Sequence, residues 1–186
     1  MTENGHMKIR LFILLLIVPS VIAVAQSGQR IARTPKVTYD WQPGFVSITE
    51  LTGAIGLSET ESDLSRYYYG ITTVAGYQFT RNVKAGLGAG VHVHNEGMLF
   101  PLYLDARYSL SAQDVMPFFA AAGGIALDPE LINNTRIFIN PSAGVRYVAA
   151  KKTGITFSTG LMVTTGGPNA RKSFVNFKLG IELKGK

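Results

Sequence analysis

The chain has 186 residues and a formal net charge of +6, with 46% hydrophobic but only 16% charged residues and a mean hydropathy of +0.16. That length suits one domain, and so few charges mean that much of the surface avoids water. Cysteine is absent, which excludes disulfides, thiolate catalysis and cysteine-ligated metals.

The N-terminus reads as an export signal. Met7-Lys8-Ile9-Arg10 is a short basic region, Leu11 to Val24 is apolar, and Ala23-Val24-Ala25 is an A-x-A cleavage site. Residues 1–25 are therefore expected to be a signal peptide, cleaved before Gln26. A membrane-anchoring helix is the rival reading, but the stretch is short and carries Pro19 and Ser20 near its end. Without a cysteine after it, no lipoprotein anchor is expected. On an exported chain with dispersed bases, nucleic acid is not an expected partner. Residues 26–44 are polar and irregular, an expected periplasmic segment, with Trp41 and Phe45 suited to a membrane–water interface.

From residue 45 to the end the pattern is β. The clearest stretch is Val83 to His94. Val83, Ala85, Leu87, Ala89, Val91 and Val93 form one apolar face, while Lys84, Gly86, Gly88, Gly90, His92 and His94 form the other. An alternation of about twelve residues exceeds an ordinary globular strand and matches a tilted membrane-spanning one. Strands are expected near residues 45–57, 66–79, 83–95, 99–110, 116–127, 136–149, 154–165 and 173–183. The first and fifth alternate poorly; Phe118 to Gly124 is apolar or small on both faces. Short connections alternate with longer polar ones, as in barrels with short periplasmic turns and long outer loops. Residues 45–186 are thus expected to form an all-β, eight-stranded antiparallel up-and-down transmembrane β-barrel. A soluble barrel of the lipocalin type is the rival, but it would carry its charges outside. Here the charges share the face of the glycines, and the other face is nearly free of charge. On that orientation, Leu87→Arg disturbs insertion more than Gly88→Ser.

Three segments carry a family resemblance. Phe100 to Tyr108 includes Pro101, Arg107 and Tyr108; Pro117 to Gly123 opens with Pro117-Phe118; Asn140 to Tyr147 includes Pro141, Gly144, Arg146 and Tyr147. In order and spacing these resemble the strands of the outer-membrane β-barrel domain family, which includes PorT-like and OmpA-like small barrels. The resemblance implies a barrel in a Gram-negative-type outer membrane, and many family members have no assigned activity. Many outer-membrane barrels also end on an aromatic residue, a pattern from which Leu183-Lys184-Gly185-Lys186 departs.

The inward set holds the candidate chemistry. Glu50, Lys84, Asp105, Arg107, Arg146, Lys178 and Glu182 are expected to point into a narrow interior and to pair there as a charge network. That filled interior points to a structural or surface-interaction role, with a narrow ion channel as one alternative. His92 and His94 mark a candidate rim site, beside Asn95 and Glu96. Such a pair can ligate a metal or serve catalysis, so an outer-leaflet lipid-modifying enzyme is the second alternative. No nucleophile stands at a fixed spacing from these histidines. The expectation is interior hydrogen bonding, no enzyme activity, no metal and no cofactor. Expected partners are outer-membrane lipid, the barrel assembly machinery, and an extracellular or periplasmic protein.

Overall fold

The computed structural model describes residues 39–57, 66–95, 97–110, 115–129, 135–165 and 171–185. The signal-peptide reading of residues 1–25 lies outside them.

Eight strands run in chain order: β1 Gly44–Gly56, β2 Tyr67–Gln78, β3 Val83–His94, β4 Gly97–Ser109, β5 Val115–Leu127, β6 Arg136–Ala150, β7 Thr153–Thr165 and β8 Lys172–Lys184. Each pairs antiparallel with the next, and β1 also pairs with β8, so the sheet closes into a barrel. Closure leaves no edge strand with unpaired backbone groups. The ladders β3–β4 and β6–β7 each skip two pairs, opposite Phe100-Pro101 and at Asn140-Pro141. Proline has no N–H to give to a ladder.

Burial alternates along the strands, broken near the end of β7, where Val163 is buried between Met162 and Thr164. The outward set includes Phe45, Leu51, Leu87, Leu104, Phe119, Ile139, Phe157 and Leu179, all exposed. No outward-facing position of the eight strands carries a charged side chain. The two strands with the weakest sequence alternation are as regular as the rest. In β1, Glu50 and Thr52 face in beside Val46 and Ile48; in β5, Met116, Phe118, Ala122 and Ala126 face in.

We call the end carrying residues 39–44 and the β2–β3, β4–β5 and β6–β7 connections the lower end. At its outer wall Phe45 meets Tyr77, and Tyr77 meets Phe79, each with ring centroids 5.3 Å apart. Tyr67 and Tyr69 are exposed on the outer wall toward the upper end. Trp41 is not part of this outer band. It is half-buried against Tyr39 beneath the lumen, ring centroids 5.0 Å apart, because the chain turns inward before β1 begins.

Several inward glycines make room for large side chains. A Cβ on Gly154 would lie 2.7 Å from Arg146 Nε, and one on Gly180 would lie 2.8 Å from Glu50 Cγ. Gly88 does not face open space either. A Cβ there would lie 2.2 Å from the Tyr103 ring, so serine at position 88 is not the mild change that the alternation alone suggests.

Candidate functional site

The lumen is filled in three layers. Just above the lower mouth, β8 presents Glu182, β3 presents Lys84 and β6 presents Arg146. The Lys84 Nζ lies 2.6 Å from Glu182 Oε1, and the Arg146 guanidinium donates to the same oxygen. All three side chains are buried.

The N-terminal approach closes this layer from below. Tyr39 is 3% exposed, and its hydroxyl donates to Glu182 Oε1 at 2.7 Å. The Arg146 guanidinium sits 4.0 Å from the centre of the Tyr39 ring, a cation–π contact. Lys184 donates to the carbonyl oxygens of Asp40 and Gln42, the amide of Gln78 donates to the carbonyl of Trp41, and Asp40 N–H donates to the carbonyl of Lys151. Burial, and next the neighbouring Glu182 carboxylate, push the Tyr39 hydroxyl above its ordinary pKa, so it stays a donor. The Gln42 N–H that Asp40 accepts holds the Asp40 carboxyl below its usual value. Residues 39–43 therefore form a stopper seated in the mouth.

The middle layer is a second ionic group. Arg107 on β4 donates to Glu50 at 2.9 Å and to Asp105 at 2.7 Å, and Lys178 on β8 stands 4.0 Å from Glu50. The Arg107 guanidinium also lies 5.8 Å from the centre of the Phe118 ring.

Above it the filling changes character. Tyr68 stacks on His92 at 4.6 Å, and packs near His94 at 5.1 Å and Phe174 at 5.3 Å. The Asn176 amide donates to the Tyr68 hydroxyl and to Asn140 Oδ1, both at 3.2 Å. His92 and His94 are thus buried among rings, not displayed at the rim. Among the described residues no three or more metal-ligating side chains gather in one place.

The structure brings the seven inward charged residues named from the sequence into two groups. Glu182 gathers Lys84 and Arg146, while Glu50 gathers Arg107 and Lys178, with Asp105 on Arg107. Sequence reasoning missed three further buried bases, Arg136, Lys172 and Lys184. Each stands at the end of a strand and has inward parity. Extending β8 by one residue each way and carrying the alternation to the first residue of β6 would have found them. Tyr39 left no such signal, because it lies outside any strand.

No family model matches the sequence, and no match was found among curated proteins. Solved structures do match. The chain is similar to Neisserial surface protein A (NspA) at 15% identity and a TM-score of 0.61, over 77% of this chain and 99% of that one. It is also similar to the N-terminal beta-barrel domain of Pseudomonas aeruginosa OprF, at 17% identity and a TM-score of 0.51, over 76% of this chain and all of that domain. At these identities the likeness is one of fold: a closed, antiparallel, eight-stranded barrel.

Proposed function

We propose that this chain is a small barrel of a Gram-negative-type outer membrane, reached through its N-terminal export signal. Its strands carry a filled lumen, and its role is structural or surface-interacting. The observation that carries this reading is the division of charge. The outward strand positions hold none, while among the described residues ten charged side chains are buried inside. Water would favour the reverse, and lipid favours this one. The outer aromatics near both ends support the same placement, since tyrosine prefers the membrane–water interface. The similarity to a protein named for the neisserial surface agrees with it.

The two ionic layers and the stopper support a plug rather than a channel. The stacking of His92 on Tyr68 and the packing of His94 beside it support a packing role for both and speak against a lipid-modifying centre there. Membrane lipid and the barrel assembly machinery are the partners this reading entails, with an extracellular or periplasmic protein as the binding partner.

The test is insertion and location. The full chain is expected in the outer-membrane fraction with Gln26 as its first residue, and its recovery as a soluble periplasmic protein would refute the reading. Leu87 is 67% exposed on the outer wall. Leu87→Arg is expected to cost about 2–4 kcal/mol if that position meets mid-membrane lipid. Folding yield into lipid vesicles checks it, with Leu87→Ala as the control. Mass spectrometry of lipid A from cells with and without the protein tests the enzymatic alternative, and identical spectra are expected.

A further inference from the structure

The outer wall is not evenly covered. Along β1 and β2 the outward register pairs are Phe45 with Tyr77, then Ser47 with Ala75, then Thr49 with Thr73, then Leu51 with Ile71. Large pairs therefore bracket two small ones. To either side, Ser47 meets Leu183 on β8, and Ala75 meets Leu87 on β3. The result is a groove of about 530 Å³ on the outer wall near the lower end. Ser47, Ala75 and Ala85 form its floor, Leu183 one side, and Phe45 and Tyr77 its lower lip. A mostly apolar recess of this size is in the range of small-molecule sites. Above the floor, the Thr49 and Thr73 hydroxyls bond to each other at 3.2 Å, so they require nothing of an occupant.

The lower edge of the groove is basic. Gly185 lines the groove, and Lys152 donates to its carbonyl oxygen at 3.1 Å, which sets that ammonium beside the lip. On the other side, Arg81 stands exposed in the turn between β2 and β3, the strands that carry Tyr77 and Ala85. Its guanidinium lies 5.3 Å from the centre of the Trp41 ring. Lysine has three N–H donors and arginine five, so both keep donors for a further partner. Lys184 also lines the groove, but its ammonium is held by the carbonyls of Asp40 and Gln42. The connections that supply the two bases, residues 79–82 and 151–152, contain no acid. Asp40 is paired with Lys184 at 3.4 Å. Asp114 belongs to the connection between β4 and β5, neither of which lines the groove.

We propose that this groove binds one anionic phospholipid of the leaflet at the lower end, an acyl chain against Ser47, Ala75 and Ala85 and the headgroup phosphate at Lys152 and Arg81. The inference rests on the membrane placement proposed above. Within a bilayer, hydrocarbon is what fills an apolar recess in the wall. The bases at the lower edge stand at headgroup height, where the Phe45, Tyr77 and Phe79 rings mark the interface. Two bases at that depth favour an anionic headgroup over a zwitterionic one. A second copy of the chain fits less well. A two-fold dimer in a membrane has its axis along the membrane normal, so pairing through this face would bring the same bases together at one edge, like charge against like.

The experiment uses the full-length protein, folded in detergent and titrated with phosphatidylglycerol or phosphatidylcholine of the same acyl chains. Native mass spectrometry counts the lipids retained. One phosphatidylglycerol per chain is expected, with an apparent affinity about tenfold or more above that of phosphatidylcholine, since each base near an anionic headgroup contributes a factor of about five. The double variant Arg81→Gln/Lys152→Gln should lose this preference and bind both lipids alike. Ala75→Leu leaves every charge in place and fills the floor, so it should weaken retention of both lipids. Ala75 is exposed on the wall, where a larger apolar side chain is expected to fold. Equal retention of the two lipids by the unaltered protein would overturn the site, as would a preference that the double variant keeps. A broad spread of lipid adducts that Ala75→Leu leaves intact would mean ordinary boundary lipid, and would overturn it too. Recovery of the chain as a soluble periplasmic protein would instead refute the membrane placement, which a missing lipid preference leaves standing.

Discussion

In the lower half of the lumen every acid holds a base. Glu182 holds Lys84, Arg146 and the hydroxyl of Tyr39, and Glu50 shares Arg107 with Asp105. In the upper half Tyr68, His92, His94 and Phe174 fill the space as rings, and Asn140 and Asn176 bond across it. Both halves obey the same inward parity, so parity alone does not decide how a lumen is filled. The difference lies in what each half tolerates. An ion pair in a narrow, dry space depends on both members, because removing one leaves an uncompensated charge. A ring stack depends on volume, and one ring can replace another at modest cost. The lower half therefore behaves as a lock, and the upper half as packing that can take substitutions.

The largest effect is expected at Glu182, where three donors converge on one carboxylate. Glu182→Gln keeps the volume but leaves Lys84 and Arg146 without their counter-charge. A loss of about 3–5 kcal/mol is expected, read as a lower urea midpoint in detergent. A loss no larger than that of a surface mutation would remove the contrast between the halves.

Arg107→Ala comes next. It leaves Glu50 and Asp105 facing each other, although Lys178 remains 4.0 Å from Glu50 and reduces the cost. A loss of about 3 kcal/mol or somewhat less is expected, since the truncation opens room for water. The same variant distinguishes plug from channel. The lower layer and the stopper remain, so planar-bilayer recordings should show no discrete currents. Unchanged stability with new conductance would favour the channel.

Tyr39→Phe is smaller still. It removes the hydrogen bond to Glu182 but keeps the ring against Arg146, so about 1 kcal/mol is expected. Trp41 is the only tryptophan in the chain and packs on Tyr39, so its fluorescence reports whether the stopper stays seated.

The smallest effect is expected in the upper half. His92→Phe preserves a ring against Tyr68 and should change stability by less than about 1.5 kcal/mol. A loss as large as that of Glu182→Gln would mean that His92 does more than pack.

The wall was legible because side-chain direction in a strand is local. Leu87 and Lys84 differ by an odd number of positions, so they face opposite sides wherever the strand lies. That rule located eight strands within a few residues and assigned the inward charges. Phe118 to Gly124 was ambiguous for the same reason, since a local rule is silent where both faces are apolar or small. Arg136, Lys172 and Lys184 escaped because the expected strands stopped short or the alternation was not carried to their ends.

By itself, then, the sequence determined which residues meet the wall's outside and which meet its inside. Only the tertiary structure decided who meets whom. Lys84 and Glu182 are 98 positions apart, and Tyr39 and Glu182 are 143 apart. No period in the chain encodes those separations. They follow from closing eight strands in one register, which sets the height of each inward side chain and brings distant charges into one layer. The same closure shapes the mouth that receives Tyr39. Pairing across a lumen is a property of the closed barrel, whereas facing it is a property of the strand.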